Sequence, residues 1–264
     1  MKLKFQELLF QVDGPVATAT LNRPHVRNAL SLNLIGELGR VAELVRDDPA
    51  VRVLILTGAG NAFSAGGDIK DIQDRSARGL FSEEMARVTQ ILRAFAELPK
   101  PVIAAVNGPA VGAGWSFALA CDLIVAAEEA VFSMGFVRVG LVPDCGANFF
   151  LPRLAGLAAA KWLVLTGETI SAREAERLGL VSKVVRGAEL SSTVNELARR
   201  LAAGPPQALA LSKALLNKSL SRDLTAVLEE EGYAQTLCLA GADGKEGLQA
   251  FLDKRPPVFK GRQC

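Results

Sequence analysis

The sequence predicts an α/β protein whose core of alternating strands and helices is followed by a region of helices alone. Three observations carry that expectation. The apolar runs VRVLILT (51–57) and VIAAV (102–106) are bounded by turn residues and read as buried strands. Each run leads through a turn of glycine and alanine into a helical pattern, the strand–turn–helix order of α/β folds. From about residue 189 onward, helical spacing continues without a further strand. The expected division is therefore a core over 1–188 and a helical region over 189–264.

Residues 16–21 (VATATL) alternate and are rich in β-formers, so they read as a strand. Ser31 can cap a helix in which Leu34, Leu38, Val41 and Val45 recur at helical spacing, and Asp47-Asp48-Pro49 stops it. The strand at 51–57 enters Gly58-Ala59-Gly60 and then a small-residue turn, Ala65-Gly66-Gly67-Asp68. A helix is expected over 81–98, followed by the strand at 102–106. Asn107-Gly108-Pro109 breaks that strand before Gly112-Ala113-Gly114 and a buried helix from Trp115. Residues 123–127 and 130–133 read as strands, 139–146 as a turn-rich loop and 156–165 as helix. Ser171 and Glu174 have the spacing of a capping box. Further helices are expected to 203, after Pro205-Pro206, over 223–240 and over 243–254.

Composition narrows the chemistry. Of 264 residues 50% are hydrophobic and 22% charged, with a net charge of +2, which gives no basic stripe for nucleic acid. No segment reads as a signal peptide or a membrane span. The four cysteines (Cys121, Cys145, Cys238 and Cys264) lack metal spacing and are expected as reduced thiols in a cytoplasmic protein. A single histidine, His25, excludes zinc sites built on several histidines, and no metal is expected. His25 itself reads as a surface loop residue. Carboxylates and backbone amides are left as the working groups.

Two loops share one design, a buried strand feeding a glycine–alanine turn and then a helix: Ala65-Gly66-Gly67-Asp68 and Gly112-Ala113-Gly114. Small residues there let the backbone approach a ligand, and unpaired N–H groups at such turns suit an anion or a developing oxyanion. No phosphate-loop lysine follows either turn, and Gly112-Ala113-Gly114 lacks the further glycine of a dinucleotide loop. Taken singly, either turn is equally an ordinary α/β connection. Asp144, in Pro143-Asp144-Cys145-Gly146, is by itself a common turn residue. Asp122 reads as a structural cap or pair, Asp68 equally as a helix cap, and Asp71 and Asp74 as a solvated helix face.

The segments LNRPHVRNALS, VRVLILTGAGNAFSAGGDIKDI, KPVIAAVNGPAVGAGWSFALACDLIVAAE, GLVPDCGANFFLPRLAG and FLDKRPPVF resemble, in order and nearly end to end, the crotonase or enoyl-CoA hydratase/isomerase superfamily. The resemblance implies a crotonase-like spiral of ββα units with a C-terminal helical trimerisation region. It implies an acyl-CoA thioester as substrate, CoA being part of the substrate rather than a separate cofactor. It also implies a homotrimer or a dimer of trimers. The thioester oxygen would lie between the N–H groups of Gly67 and Ala113. The CoA moiety would be met by backbone at Ala65 and Asp68, by Ile69, and by the cations Arg27, Lys70 and Lys254.

Departures from the pattern point to the reaction. Hydratases of this family carry two glutamates where this chain has Ser116 and Phe136. Neither can exchange a proton with carbon or activate water. With Trp115 and Phe117, those two residues are expected to line the acyl pocket. Asp144 matches the acid/base of isomerases in the superfamily, in the branch that isomerises ring epoxides and shifts double bonds of enoyl-CoAs. Burial among Phe136, Val142 and Phe149 is expected to raise its pKa. The alternatives are a hydratase, an aromatic acyl-CoA dehalogenase with Asp144 as nucleophile, and a non-catalytic acyl-CoA binder.

Overall fold

A computed structural model describes residues 5–79 and 81–261; the first four residues and Cys264 fall outside that range. The element order is mixed α/β as expected. A main sheet runs β1(Leu8–Asp13)-β2(Val16–Leu21)-β3(Val53–Gly58)-β4(Val102–Val106)-β6(Leu123–Ala127)-β9(Lys183–Val185). A smaller sheet comprises β5(Ala110–Val111)-β7(Val131–Ser133)-β8(Thr169–Ser171). From β2 to β9 the large sheet is parallel, and β1 pairs antiparallel with β2. Strand β4 is followed by β5 and β6 by β7 of the smaller sheet before the chain turns into a helix, so the path climbs as a spiral there.

The central strands read as continuous apolar runs because both faces are covered. On one face, α1(Leu32–Asp47), α3(Phe81–Ala96) and α4(Ala113–Leu119) close the larger core, with Leu34, Leu38, Phe95, Trp115 and Phe117 buried. The other face is covered by α7(Leu190–Ala202), whose Leu190, Val194, Ala198 and Ala202 pack on Val53, Ile55 and Ile103. Helix α7 thus belongs with the sheet, and the region standing apart begins later than residue 189. It comprises α8(Pro206–Ser219), α9(Leu224–Ala240) and α10(Ala242–Leu252), which pack mainly on one another.

Local signals account for several boundaries. Ser31 caps α1, its Oγ accepting from Leu34 N at 3.0 Å. The expected capping box at Ser171 is only half made. Ser171 accepts from Glu174 N, but the Glu174 carboxylate turns outward to Arg177 at 2.6 Å. Strand β1, which the sequence did not signal, is an edge strand with Leu8 as its one buried residue and so shows no alternation. Helix α5(Ala147–Thr166) is long and apolar enough, at a mean hydropathy of 1.3, to meet the criterion for a membrane span, contrary to expectation. It is nevertheless two helices joined at Gly156, whose φ of 79° and ψ of 158° only glycine adopts readily.

Candidate active site

The site forms where β3 and β4 end side by side. Their register pairs Leu56 with Ala104 and Thr57 with Ala105, so both strands deliver their turns at one level. Asn107 laces the two ends: its Nδ2 donates to Gly58 O (2.9 Å) and Gly60 O (3.0 Å), and its Oδ1 accepts from Gly58 N (3.2 Å). Beyond them the two glycine turns touch through the bridge between Ser64 and Ala110.

Close approach explains the glycines. A Cβ on Gly66, whose φ is 96°, would lie 2.8 Å from Val111 O and 3.6 Å from Ala113 N. The two turns therefore meet without side chains between them. Gly67 is held by a bridge to Leu30, in which Leu30 N donates to Gly66 O and Asp68 N to Leu30 O. That ladder leaves Gly67 N–H itself unused. Ala113 opens α4, where the first N–H has no helical acceptor. Among the described residues neither the Gly67 nor the Ala113 N–H has a hydrogen-bond acceptor. Both residues line one cavity of about 250 Å³.

That cavity is largely apolar, walled by Leu30, Ile72, Met85, Val88, Phe136 and Leu141. Among the described residues its one carboxylate is Asp144 and its one cation is Arg75. Arg75 is neutralised by Glu84 at 3.1 Å, a pair that ties α2(Ile69–Ala77) to α3. Asp144 has no such partner, and its Oδ1 is buried without a hydrogen bond. Burial pushes its pKa up, with the neighbouring Cys145 thiol partly opposing the rise. Of the three residues expected around it, Phe136 lines the cavity, whereas Val142 and Phe149 are exposed and absent from its lining. Cys145 and Gly146 both have positive φ (48° and 77°), and Ala147 N closes the turn on Asp144 O.

The other expected site residues divide. Phe136 lines the cavity. Trp115, Ser116 and Phe117 do not and are fully buried in the core, Trp115 against Phe132 and Phe117 against Phe95. Ser116 turns its hydroxyl back onto Gly112 O at 3.2 Å. Arg27 and Ala65 are brought together, Ala65 N donating to Arg27 O at 2.9 Å, and Ile69 and Lys70 are exposed on the adjoining first turn of α2. The Asp68 side chain is committed to structure. It caps α2 and pairs with Arg23 at 3.0 Å; burial opposes its ionisation, but Arg23 and the capped N–H groups outweigh that and hold its pKa low. Lys254 follows α10 and is absent from the cavity lining. His25 is exposed, and Asp122 is structural, as expected. Asp71 is not fully solvated, since it accepts from Leu32 N. Sequence reasoning missed Arg75 and Met85, because residues on separate helices give no local sign that they face one cavity.

Comparison with known proteins agrees with this geometry. A family model described as enoyl-CoA hydratase/isomerase matches residues 11–262. The chain is 40% identical to 1,2-epoxyphenylacetyl-CoA isomerase of Escherichia coli (strain K12), over 97% of this chain and 98% of that protein. It is 39% identical to crotonyl-CoA hydratase of Syntrophomonas wolfei, over 97% of this chain and 99% of that protein. Among solved structures, enoyl-CoA hydratase from Bacillus anthracis superposes with a TM-score of 0.92 at 36% identity, covering 97% of this chain and 100% of the other. With two acceptor-free amides and a carboxyl in one apolar cavity, and with these matches along nearly its whole length, the chain belongs to the enoyl-CoA hydratase/isomerase family, on a crotonase fold.

Proposed function

We propose that the protein isomerises an acyl-CoA thioester, with Asp144 as the sole acid/base and the N–H groups of Gly67 and Ala113 as the oxyanion hole. The observation that carries this reading is the half-buried Asp144 carboxyl, whose Oδ1 is buried and unpartnered in the cavity that the two amides share. Its carboxylate takes a proton from C2 of a 3-enoyl thioester, and the C–H electron pair moves onto the thioester oxygen as a dienolate. Two fixed N–H donors hold that oxygen without reorganising. The same carboxyl returns the proton at C4, leaving the double bond at C2–C3. One group suffices because the proton leaves and returns on the same face. A buried carboxyl with a raised pKa is a stronger base and keeps its proton long enough to redeliver it. The apolar walls keep water from the dienolate. The CoA portion is assigned to the rim at Arg27, Ala65, Asp68, Ile69 and Lys70.

Asp144→Asn is expected to lower isomerisation by about 10²–10⁴-fold, the usual contribution of a general base. CoA-ester binding should stay within a few-fold of the original. Full retained turnover would refute the assignment. The similarity to proteins named as hydratases favours hydration as the second reading. Hydration calls for two carboxylates, and Ser116 and Phe136 occupy the positions that the family resemblance gives them. Crotonyl-CoA hydration at rates typical of enzymes, in a product screen that includes 3-enoyl and aromatic CoA esters, would favour that reading instead.

A further inference from the structure

We infer that Ser64 is a positioning residue that sets the distance and angle between the two oxyanion amides by acting as a spacer between their turns. The inference rests on the reading that Gly67 and Ala113 N–H take the thioester oxygen. Ser64 is fully buried and does not line the cavity, so it acts only through its neighbours. It binds both turns at once. Its Oγ accepts from Gly66 N at 3.2 Å and donates to Asn28 O at 2.8 Å. Its own N–H donates to Pro109 O at 3.1 Å, and its carbonyl accepts from Val111 N at 2.9 Å. Gly66 directly precedes one amide, and Val111 lies two residues before the other. From the far side, Gly114 follows Ala113 and presses on the serine: a Cβ there would meet Ser64 Cβ at 2.5 Å and Oγ at 2.6 Å.

Asn28 anchors the assembly from below. It is buried with a φ of 56°, its Oδ1 accepts from Arg23 N, and its Nδ2 donates to Ala59 O and Ala62 O. Backbone donors have no rotamers, so the pair can be re-aimed only by moving one turn against the other. The Ser64 side chain bears on that movement from both sides: its Oγ holds Gly66 N of the first turn, and its Cβ and Oγ pack against Gly114 of the second, while its backbone carries the bonds to Pro109 and Val111. A serine that merely satisfied buried polar atoms would, when removed, lower stability and leave the bound oxygen's environment unchanged.

The test is the infrared carbonyl band of an acyl-CoA carrying ¹³C at the thioester carbon, read on the wild-type enzyme and on Ser64→Ala. On the wild type the band should move to lower frequency relative to free ligand. Ser64→Ala should show a smaller displacement, with kcat lower by about ten- to a hundredfold and KM changed less. A CoA thioether lacking the carbonyl oxygen should bind both proteins equally. Should Ser64→Ala not fold, Ser64→Cys keeps the size with a weaker acceptor, and Gly114→Ala pushes the serine from the other side; both should reduce the displacement. A band identical to wild type in these variants overturns the inference, whatever happens to Tm. No displacement in the wild type itself would instead overturn the assignment of the amides.

Discussion

At the residue scale the site depends on one carboxyl in an apolar place. Removal of Asp144 from water disfavours its charged form, and the cavity supplies no cation to compensate, because Arg75 is already paired with Glu84. The proposed base is the ionised form. Activity should therefore be present above the raised pKa and fall as pH drops through it, so the acid limb of kcat/KM should lie above that of a solvated aspartate. A pH–rate profile on a 3-enoyl-CoA checks this. A limb at or below the pKa of a solvated aspartate would show that the titrating group is not a buried Asp144. The opposite case, Asp68, shows how local the effect is. Arg23 and two helix N–H groups more than offset its burial, and its pKa is held low.

At the scale of elements, α8 is fastened to the core by polar contacts from Asn217, whose Nδ2 donates to Ala96 O at 3.3 Å, and from Lys213. Lys213 Nζ reaches Asp122 Oδ2 at 2.8 Å and Lys100 O at 3.2 Å, and Asp122 also accepts from Val102 N at 2.7 Å. Burial raises the Asp122 pKa, and Lys213 partly offsets the rise. Lys213→Met would leave that carboxylate half-buried without a counter-charge, costing about 2–3 kcal/mol, somewhat below the 3–5 typical of a fully buried broken pair. Urea unfolding measures the loss, and Lys213→Met with Asp122→Asn should recover part of it. The elements readable in sequence were those whose cause was local. Ser31 and the Leu34, Leu38, Val41 and Val45 stripe specify α1, and unbroken apolar runs specify β3 and β4. Strand β5 is two residues long and exists only because β7 pairs with it, which no local pattern can announce. Likewise Trp115 stood next to the oxyanion turn in sequence, but helix α4 rotates it into the core. Asp144 was found by resemblance; its lack of a counter-charge depends on walls contributed by distant elements.

For the whole molecule, the question is what covers the apolar surface. On α5, Leu157, Trp162 and Leu165 are 60–70% exposed, and on α8 to α10 so are Leu216, Leu220, Leu224, Tyr233, Phe251 and Leu252 at 68–83%. So much exposed apolar surface marks an interface. We expect a homotrimer, or a dimer of trimers, to bury it; a stable monomer at micromolar concentration in sedimentation would refute that. The proposed oxyanion hole carries a different lesson, about what substitution can reach. Its donors are main-chain N–H groups of Gly67 and Ala113, a property shared by every amino acid except proline. Ordinary point mutation therefore cannot erase the donors, although it can displace them. On that reading, changes at cavity-lining positions such as 136 and 144 would alter which protons move while the means of stabilising an enolate stays in place. On such a scaffold a new reaction can arise by relocating a single carboxyl group, without rebuilding the machinery that makes the intermediate accessible.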